Sequence, residues 1–298
     1  MTQRVLVTGA TGFLGAHLVR RLAADGAEVH AVSRRPVPPE AGTMWWQADL
    51  ESPRHTEDLI RAVRPDVVYH LASHVTGARD VALVMPMLRS NLESTVNVMN
   101  AAVSSDLKPR VVIAGSMEEP RAEDPLVAPS SPYAAAKAAS TSYAQMFHHL
   151  WDLPTVVLRI AMAYGPGQPD KSKLLPHVII SLLGKKVPAL SDGTREIDWV
   201  YVDDVADALL AAGTVDGVAG EVIDLGSGTA VSIRETVRLL ADIVGSEQAP
   251  EFGVLPRRTL DSSRIADTSR AKELLGWIAS TGLHDGMART VGWFREQR

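Results

Sequence analysis

A short apolar run that breaks into three evenly spaced glycines leaves this chain few folds. The run is Arg4-Val5-Leu6-Val7-Thr8, and the glycines are Gly9, Gly12 and Gly15. Such a run reads as a strand buried on both faces, the kind found in parallel sheets. An amphipathic stretch follows from Ala16 to Ala24. Strand, glycine turn and helix in this order build a cradle for an anion. Glycine permits the tight turn and lets backbone approach a diphosphate, while the helix start aims free N–H groups and its positive dipole end at the same place. Gly9, Thr11, Gly12, Phe13, Leu14 and Gly15 are therefore candidate cofactor contacts. Their spacing is G-x-x-G-x-x-G, not the commoner G-x-G-x-x-G.

Further strand patterns fall at Glu28–Ser33, Trp45–Gln47, Val67–Leu71, Val111–Ala114 and Thr155–Ile160. Helical patterns at Gly15–Ala24, His55–Val63, Met87–Ser104 and Tyr133–Leu150 separate most of them. Apolar strands alternating with helices predict an α/β fold, a parallel sheet covered on both faces. After Ile160 the texture changes. Tyr164-Gly165-Pro166-Gly167-Gln168-Pro169 is a turn-rich break, and a smaller lobe is expected beyond it.

Tyr133 and Lys137 carry the chemistry. Four residues apart on a helix, they share one face. An ammonium beside a phenol favours the phenolate, so Lys137 is expected to lower the Tyr133 pKa. A phenol with a mobile proton can exchange it with a carbonyl or alcohol oxygen. At the end of the second strand the chain reads Ser33-Arg34-Arg35. An NAD-preferring protein usually places a carboxylate there for the ribose 2′-hydroxyl. Guanidiniums suit a 2′-phosphate instead, so NADP(H) is the expected cofactor, with NAD(H) as the alternative.

The glycine turn and the Tyr-x-x-x-Lys pair together resemble the short-chain dehydrogenase/reductase superfamily, in its extended branch of nucleotide-sugar epimerases, dehydratases, decarboxylases and ketoreductases. The resemblance implies a Rossmann-type doubly wound parallel sheet with a smaller, mostly C-terminal substrate-binding lobe. Residues 1–165 and 198–228 would form the first, and 166–197 and 229–298 the second. It implies that Asp49 and Leu50 lie at the adenine, that Leu71, Ala72 and Ser73 line the cofactor at a strand end, and that Asn91 and Ala114 border it. Ser116, just past a buried strand, matches the family hydroxyl that holds the reacting oxygen.

The family's 4,6-dehydratases carry Asp-Glu after that hydroxyl residue. Here the pair is Met117-Glu118. Methionine delivers no proton, so a lyase is weakened, with Glu118 kept as a candidate acid–base group. On the substrate side Met162 stands where relatives often have Asn. Ile197 replaces an expected Arg, with Arg195 two residues earlier, and Arg258 matches a diphosphate-binding Arg.

Other features narrow the field. With 298 residues, 46% apolar, 22% charged and a net charge of −5, the chain has a globular composition and no nucleic-acid footprint. The absence of cysteine excludes disulfides and fits a cytoplasmic setting. The chain start has no signal-peptide layout, and the apolar stretch at Leu174–Leu183 is too short for a bilayer. His148-His149 has no ligand cluster around it, so no metal is expected. Several functions compete. The leading expectation is an NADP(H)-dependent reductase of a nucleotide-linked 4-ketosugar, a homodimer by family resemblance. The alternatives are a nucleotide-sugar 4-epimerase with tightly held NAD(P), a reductase of a non-sugar ketone, a dehydratase or decarboxylase, and a non-catalytic NADP sensor.

Overall fold

The computed structural model describes residues 2–38, 42–121, 128–256 and 263–297. The chain divides into two compact units. The first comprises Met1–Ile160, Ala206–Asp224 and Ser269–Trp277; the second comprises Ala161–Val205, Leu225–Thr268 and Ile278–Arg298.

In the first unit the strands are β1 (Arg4–Thr8), β2 (Glu28–Ser33), β3 (Thr43–Gln47), β4 (Val67–His70), β5 (Arg110–Ser116) and β6 (Thr155–Ile160). Adjacent pairs among them are parallel. With a later strand, Val222–Leu225, they form a seven-stranded sheet ordered β3-β2-β1-β4-β5-β6 and then that strand at the edge. This is the Rossmann-type doubly wound sheet, and the strand order reverses between β1 and β4. Ligands of such sheets bind beyond the carboxyl ends of the strands at that reversal. The helices α1 (Phe13–Ala24), α2 (Pro53–Val63), α3 (Val84–Met87), α4 (Ser94–Val103) and α5 (Pro132–Trp151) accompany them. Leu6, Val68, Val111 and Ile113 of the strands pack with Leu59, Ile60 and Val63 of α2, Val98 and Met99 of α4, and Phe147 of α5.

Two glycines of the first turn are required by space. Gly9 has φ +66, and a Cβ there would lie 2.7 Å from the Ala72 backbone nitrogen. A Cβ on Gly15 would lie 2.1 Å from the Gly9 carbonyl oxygen. The turn is thus laid directly on the segment after β4.

The single helix expected over Met87–Ser104 is broken into parts. Between α3 and α4 runs a π-helical stretch, Leu88–Glu93, with the fully buried Asn91 inside it. The wider turn suits a side chain that bonds outside its own helix. Asn91 Oδ1 accepts the His74 backbone N–H at 2.7 Å, and its Nδ2 donates to the His74 carbonyl at 3.0 Å. Its own carbonyl accepts the hydroxyls of Thr95 and of Ser140 on α5.

His70, also buried, joins this network to β1. Thr8 Oγ1 accepts the N–H groups of Leu71 and Ala72, so its own proton goes to His70 Nδ1, 2.9 Å away. Thr95 donates its proton to Asn91, so it accepts from His70 Nε2–H, at 3.0 Å. The imidazole is therefore neutral. A second proton would face an oxygen that already accepts two N–H groups.

In the second unit β7 (Met162–Tyr164), β9 (Glu196–Tyr201) and β11 (Ala230–Ser232) form a three-stranded sheet. Between them lie β8 (Ala189–Leu190) and the first-unit edge strand, β10 (Val222–Leu225); β12 (Glu251–Phe252) follows and pairs with β8. Helices α6 (Leu174–Leu183), α8 (Ile233–Val244) and α10 (Leu283–Glu296) belong to this unit, whereas α9 (Ser269–Leu275) and most of α7 (Val202–Thr214) belong to the first. Trp199 and Tyr201 of β9 pack with Ile179, Leu240 and Met287 from α6, α8 and α10. Asp198, 1% exposed, accepts backbone N–H groups from Ser227, Gly228 and Ala266. Among the described residues no helix is long and apolar enough to cross a membrane.

Burial, with a smaller contribution from Lys137, lowers the His70 pKa from 6.5 to about 3. The unfolded chain therefore takes up a proton between those values that the folded protein refuses, and stability falls as pH drops through that window. His70→Gln should flatten this slope by on the order of a few kcal/mol in urea unfolding between pH 6.5 and pH 4. Parallel slopes for the two proteins would contradict the neutral, buried assignment.

Candidate active site

The carboxyl end of β5 and the start of α5 meet at one place. Pro132 occupies the first turn of α5, and Ser131 caps it by accepting the Ala134 N–H at 3.1 Å. Proline is pre-set for that position, and a serine cap satisfies an otherwise orphan donor. This fixed start brings Tyr133 and Lys137 against the end of β5. Ser116, Tyr133 and Lys137 are all buried. Lys137 Nζ donates to the Ala114 carbonyl at 2.6 Å and lies 5.8 Å from the centre of the Tyr133 ring. The Ser116 hydroxyl bears on the Tyr133 phenol. The structure thus unites Ala114, Ser116, Tyr133 and Lys137.

The electrostatics correct one expectation. Burial pushes the Tyr133 phenol above its ordinary range. The Ser116 hydrogen bond pulls it down, while the charges of Glu118 and Glu119 push it further up. The net direction is upward, against the lowering expected from Lys137. The ammonium is turned onto the Ala114 carbonyl, and desolvation is the larger effect. Lys137 itself is lowered from 10.5 to about 8, again by burial, against which Glu119 acts.

Glu118 is half-buried, and its backbone N–H donates to Ser116 Oγ at 3.1 Å. The sequence reading passed over Glu119, which is only 3% exposed. Its Oε1 accepts the Ser116 backbone N–H at 2.7 Å and its Oε2 accepts from Thr141 at 2.8 Å. The available signal was Thr141, which follows Tyr133 and Lys137 at four-residue steps on the same helix face.

Around the glycine turn, α1 begins at Gly12 with no side-chain cap. Its first N–H groups are left for another acceptor. Thr11 is exposed, and Phe13 and Leu14 are half-buried. Ser73 donates to Asn91 at 3.2 Å. Asn91 holds the segment after β4, and its amide is bonded to protein groups rather than turned outward. Asp49 is exposed and caps the Glu51 N–H, while Leu50 is buried. Beyond β2, Ser33 accepts the Arg35 N–H at 3.2 Å, and both Arg34 and Arg35 are exposed.

In the second unit, Met162 pairs with Trp199 in the β7–β9 register and packs against that unit's core. The Arg195 carbonyl accepts the Ile233 N–H at 2.9 Å. Arg258 lies outside the described residues.

Comparison with known proteins places this geometry. Residues 5–226 match the family model described as NAD dependent epimerase/dehydratase family. A UDP-glucose 4-epimerase of Mycolicibacterium smegmatis is 33% identical, with 99% of each chain covered. A dTDP-glucose 4,6-dehydratase of Streptomyces griseus is 30% identical, covering 100% of this chain and 96% of that one. The solved structure of MoeE5 in complex with UDP-glucose and NAD superposes with a TM-score of 0.86 at 34% identity, covering 98% of this chain and 99% of the other.

Gly115 is set against the buried carboxylate. A Cβ there would lie 2.9 Å from Glu119 Oε1 and 2.9 Å from Val157 Cγ1. Gly115→Ala should therefore destabilise the protein by about 1–3 kcal/mol, measured by urea or thermal unfolding. An unchanged midpoint would mean that this packing is looser than the distances state.

Proposed function

The chain belongs to the NAD-dependent epimerase/dehydratase family, and from that premise we propose that it is a nucleotide-sugar 4-epimerase working through held NAD. The observation that carries this reading is that Ser116, Tyr133 and Lys137 are buried together, with Lys137 one helical turn from Tyr133 and held on the end of β5. The ketoreductase expected first from the sequence draws less support from the relatives than the epimerase alternative does. The dehydratase reading is weakened by Met117, which offers no proton beside Glu118.

The residues present fit a dinucleotide. The turn leaves no room for side chains at Gly9 and Gly15, and the uncapped start of α1 offers N–H groups to a diphosphate. Asp49, Leu50, Leu71, Ala72 and Ser73 are the candidate contacts along the rest of it, and Asn91 acts by holding the segment after β4. The first unit is the cofactor-binding unit in this reading. The second supplies the candidate sugar-nucleotide residues Met162 and Arg195.

When bound, NAD supplies a hydride acceptor and donor and a positively charged ring. Ser116 donates to the reacting oxygen at C4 of the sugar. Tyr133 removes the proton from that oxygen in the first half of the cycle and restores it in the second. A phenol buried as deeply as Tyr133 acts as a base only with positive charge beside it. Lys137, held on the Ala114 carbonyl, keeps that side of the phenol fixed.

For the cofactor we assign NAD, as in the family description and in the MoeE5 complex. The NADP preference read from Arg34 and Arg35 finds no counterpart in those relatives. The pair does place no carboxylate against a 2′-phosphate, so NADP binding is a measurable second property. NAD should be released on denaturing the purified protein, or should bind at least as tightly as NADP by calorimetry. A tenfold preference for NADP would restore the original expectation.

The activity test is incubation with UDP-glucose without added reductant. The C4 epimer should form, and Tyr133→Phe should slow it at least a thousandfold while NAD affinity stays within about threefold. Net NADPH oxidation with a 4-ketosugar and no epimer would favour the reductase. A 4-keto-6-deoxy product would favour the dehydratase.

A further inference from the structure

The geometry points to Glu119 as the positioning residue of the acid–base pair, a buried anion that fixes the Ser116 turn to α5 and offsets the charge of Lys137. The inference rests on the epimerase reading for its kinetic consequence only. Glu119 bridges two elements. On one side Oε1 accepts the Ser116 backbone N–H at 2.7 Å, while the Glu119 N–H donates to the Ser116 carbonyl at 3.2 Å. On the other side Oε2 accepts from Thr141 at 2.8 Å. Tyr133, Lys137 and Thr141 succeed one another at four-residue steps, so they line one face of α5. The carboxylate therefore ties the serine turn to the face that carries the phenol and the amine.

A carboxylate and an ammonium buried this deeply are each expensive to desolvate alone. Here they share one interior. Burial pushes the Glu119 carboxyl up from its ordinary value, and the bonds from Ser116 and Thr141 and the charges of Arg159 and Lys137 pull it back toward the anion. Arg159, from β6, is held by Asp224 at 2.7 Å, and Asp224 also binds Arg121 at 2.6 Å. Glu118 lies on the same turn and bears on Tyr133. Ser116, Thr141, Arg159 and Lys137 thus bear on the Glu119 carboxylate from β5, α5 and β6, while Ser116, Glu118 and Glu119 bear on the Tyr133 phenol.

A plainer role is available to the same residue, that of a satisfied buried acceptor closing a turn. Glutamine separates the two roles. Its carboxamide can accept the Ser116 N–H and donate to Thr141, but it carries no charge.

The test is a titration of Lys137 by NMR of 13Cε-lysine in the full-length protein, assigned with Lys137→Arg. Burial lowers this amine to about 8 in the wild type, with Glu119 opposing the shift. In Glu119→Gln the midpoint should fall by about one pH unit. An unchanged or raised midpoint overturns the charge role. The wild type decides the matter even where the variant does not fold, because the Glu119 carboxyl, followed by 13Cδ-glutamate NMR, must titrate below Lys137. A Glu119 midpoint above that of Lys137 overturns the proposal. With UDP-glucose as substrate, the rising limb of the kcat–pH profile should move to lower pH in Glu119→Gln, since the anion also raises the phenol. A wild type with no turnover on nucleotide sugars would sink the epimerase reading and leave the NMR comparison standing.

Discussion

Backbone pressed directly on backbone governs this molecule. The Gly9 turn lies so close to the segment after β4 that no side chain can stand between them. Thr8 then closes the contact with one hydroxyl that accepts the Leu71 and Ala72 N–H groups. That hydroxyl needs an acceptor for its own proton. His70 provides it, Thr95 answers on the far side of the ring, and Asn91 and Ser140 carry the chain of bonds to α5. The glycine turn after β1 and the helix that bears Tyr133 and Lys137 are thus held by one continuous set of satisfied polar groups. Each member is buried, so removing one leaves its neighbours with the full cost of an unmade bond.

The candidate acid–base groups obey the opposite rule. Tyr133 and Lys137 are buried enough that their charged forms are disfavoured. Burial holds the phenol protonated and brings the amine down to about 8, and nearby carboxylates act on both. Desolvation makes the pair responsive, because small changes in local charge act strongly where water is excluded. A solvent-exposed pair with the same spacing would have no such sensitivity.

Much of this was legible in the sequence. The glycine turn and the alternation of strands and helices pointed to the doubly wound sheet, and the order Ser116, Tyr133, Lys137 pointed to side chains that the fold does bring together. These features are local, or they recur at the period of their element. The π-helical turn was not legible, because Asn91 breaks the helix to satisfy His74, a partner distant in sequence. Glu119 was missed for a related reason. A glutamate beside another glutamate and a proline reads as a solvated loop, and only the fold delivers Ser116 and Thr141 to its two oxygens. The direction of the Tyr133 shift was misjudged because spacing reports proximity and says nothing of burial.

The π-helical stretch Leu88–Glu93 amounts to a helix carrying one residue more than regular winding needs. Each residue turns an α-helix by about 100°. Losing a single residue there would straighten the rod and swing everything on its N-terminal side around the axis by that angle. The length of this segment is therefore counted, not merely its composition. In drift between related sequences, point changes along it can be absorbed, whereas a one-residue insertion or deletion would change which face meets α5.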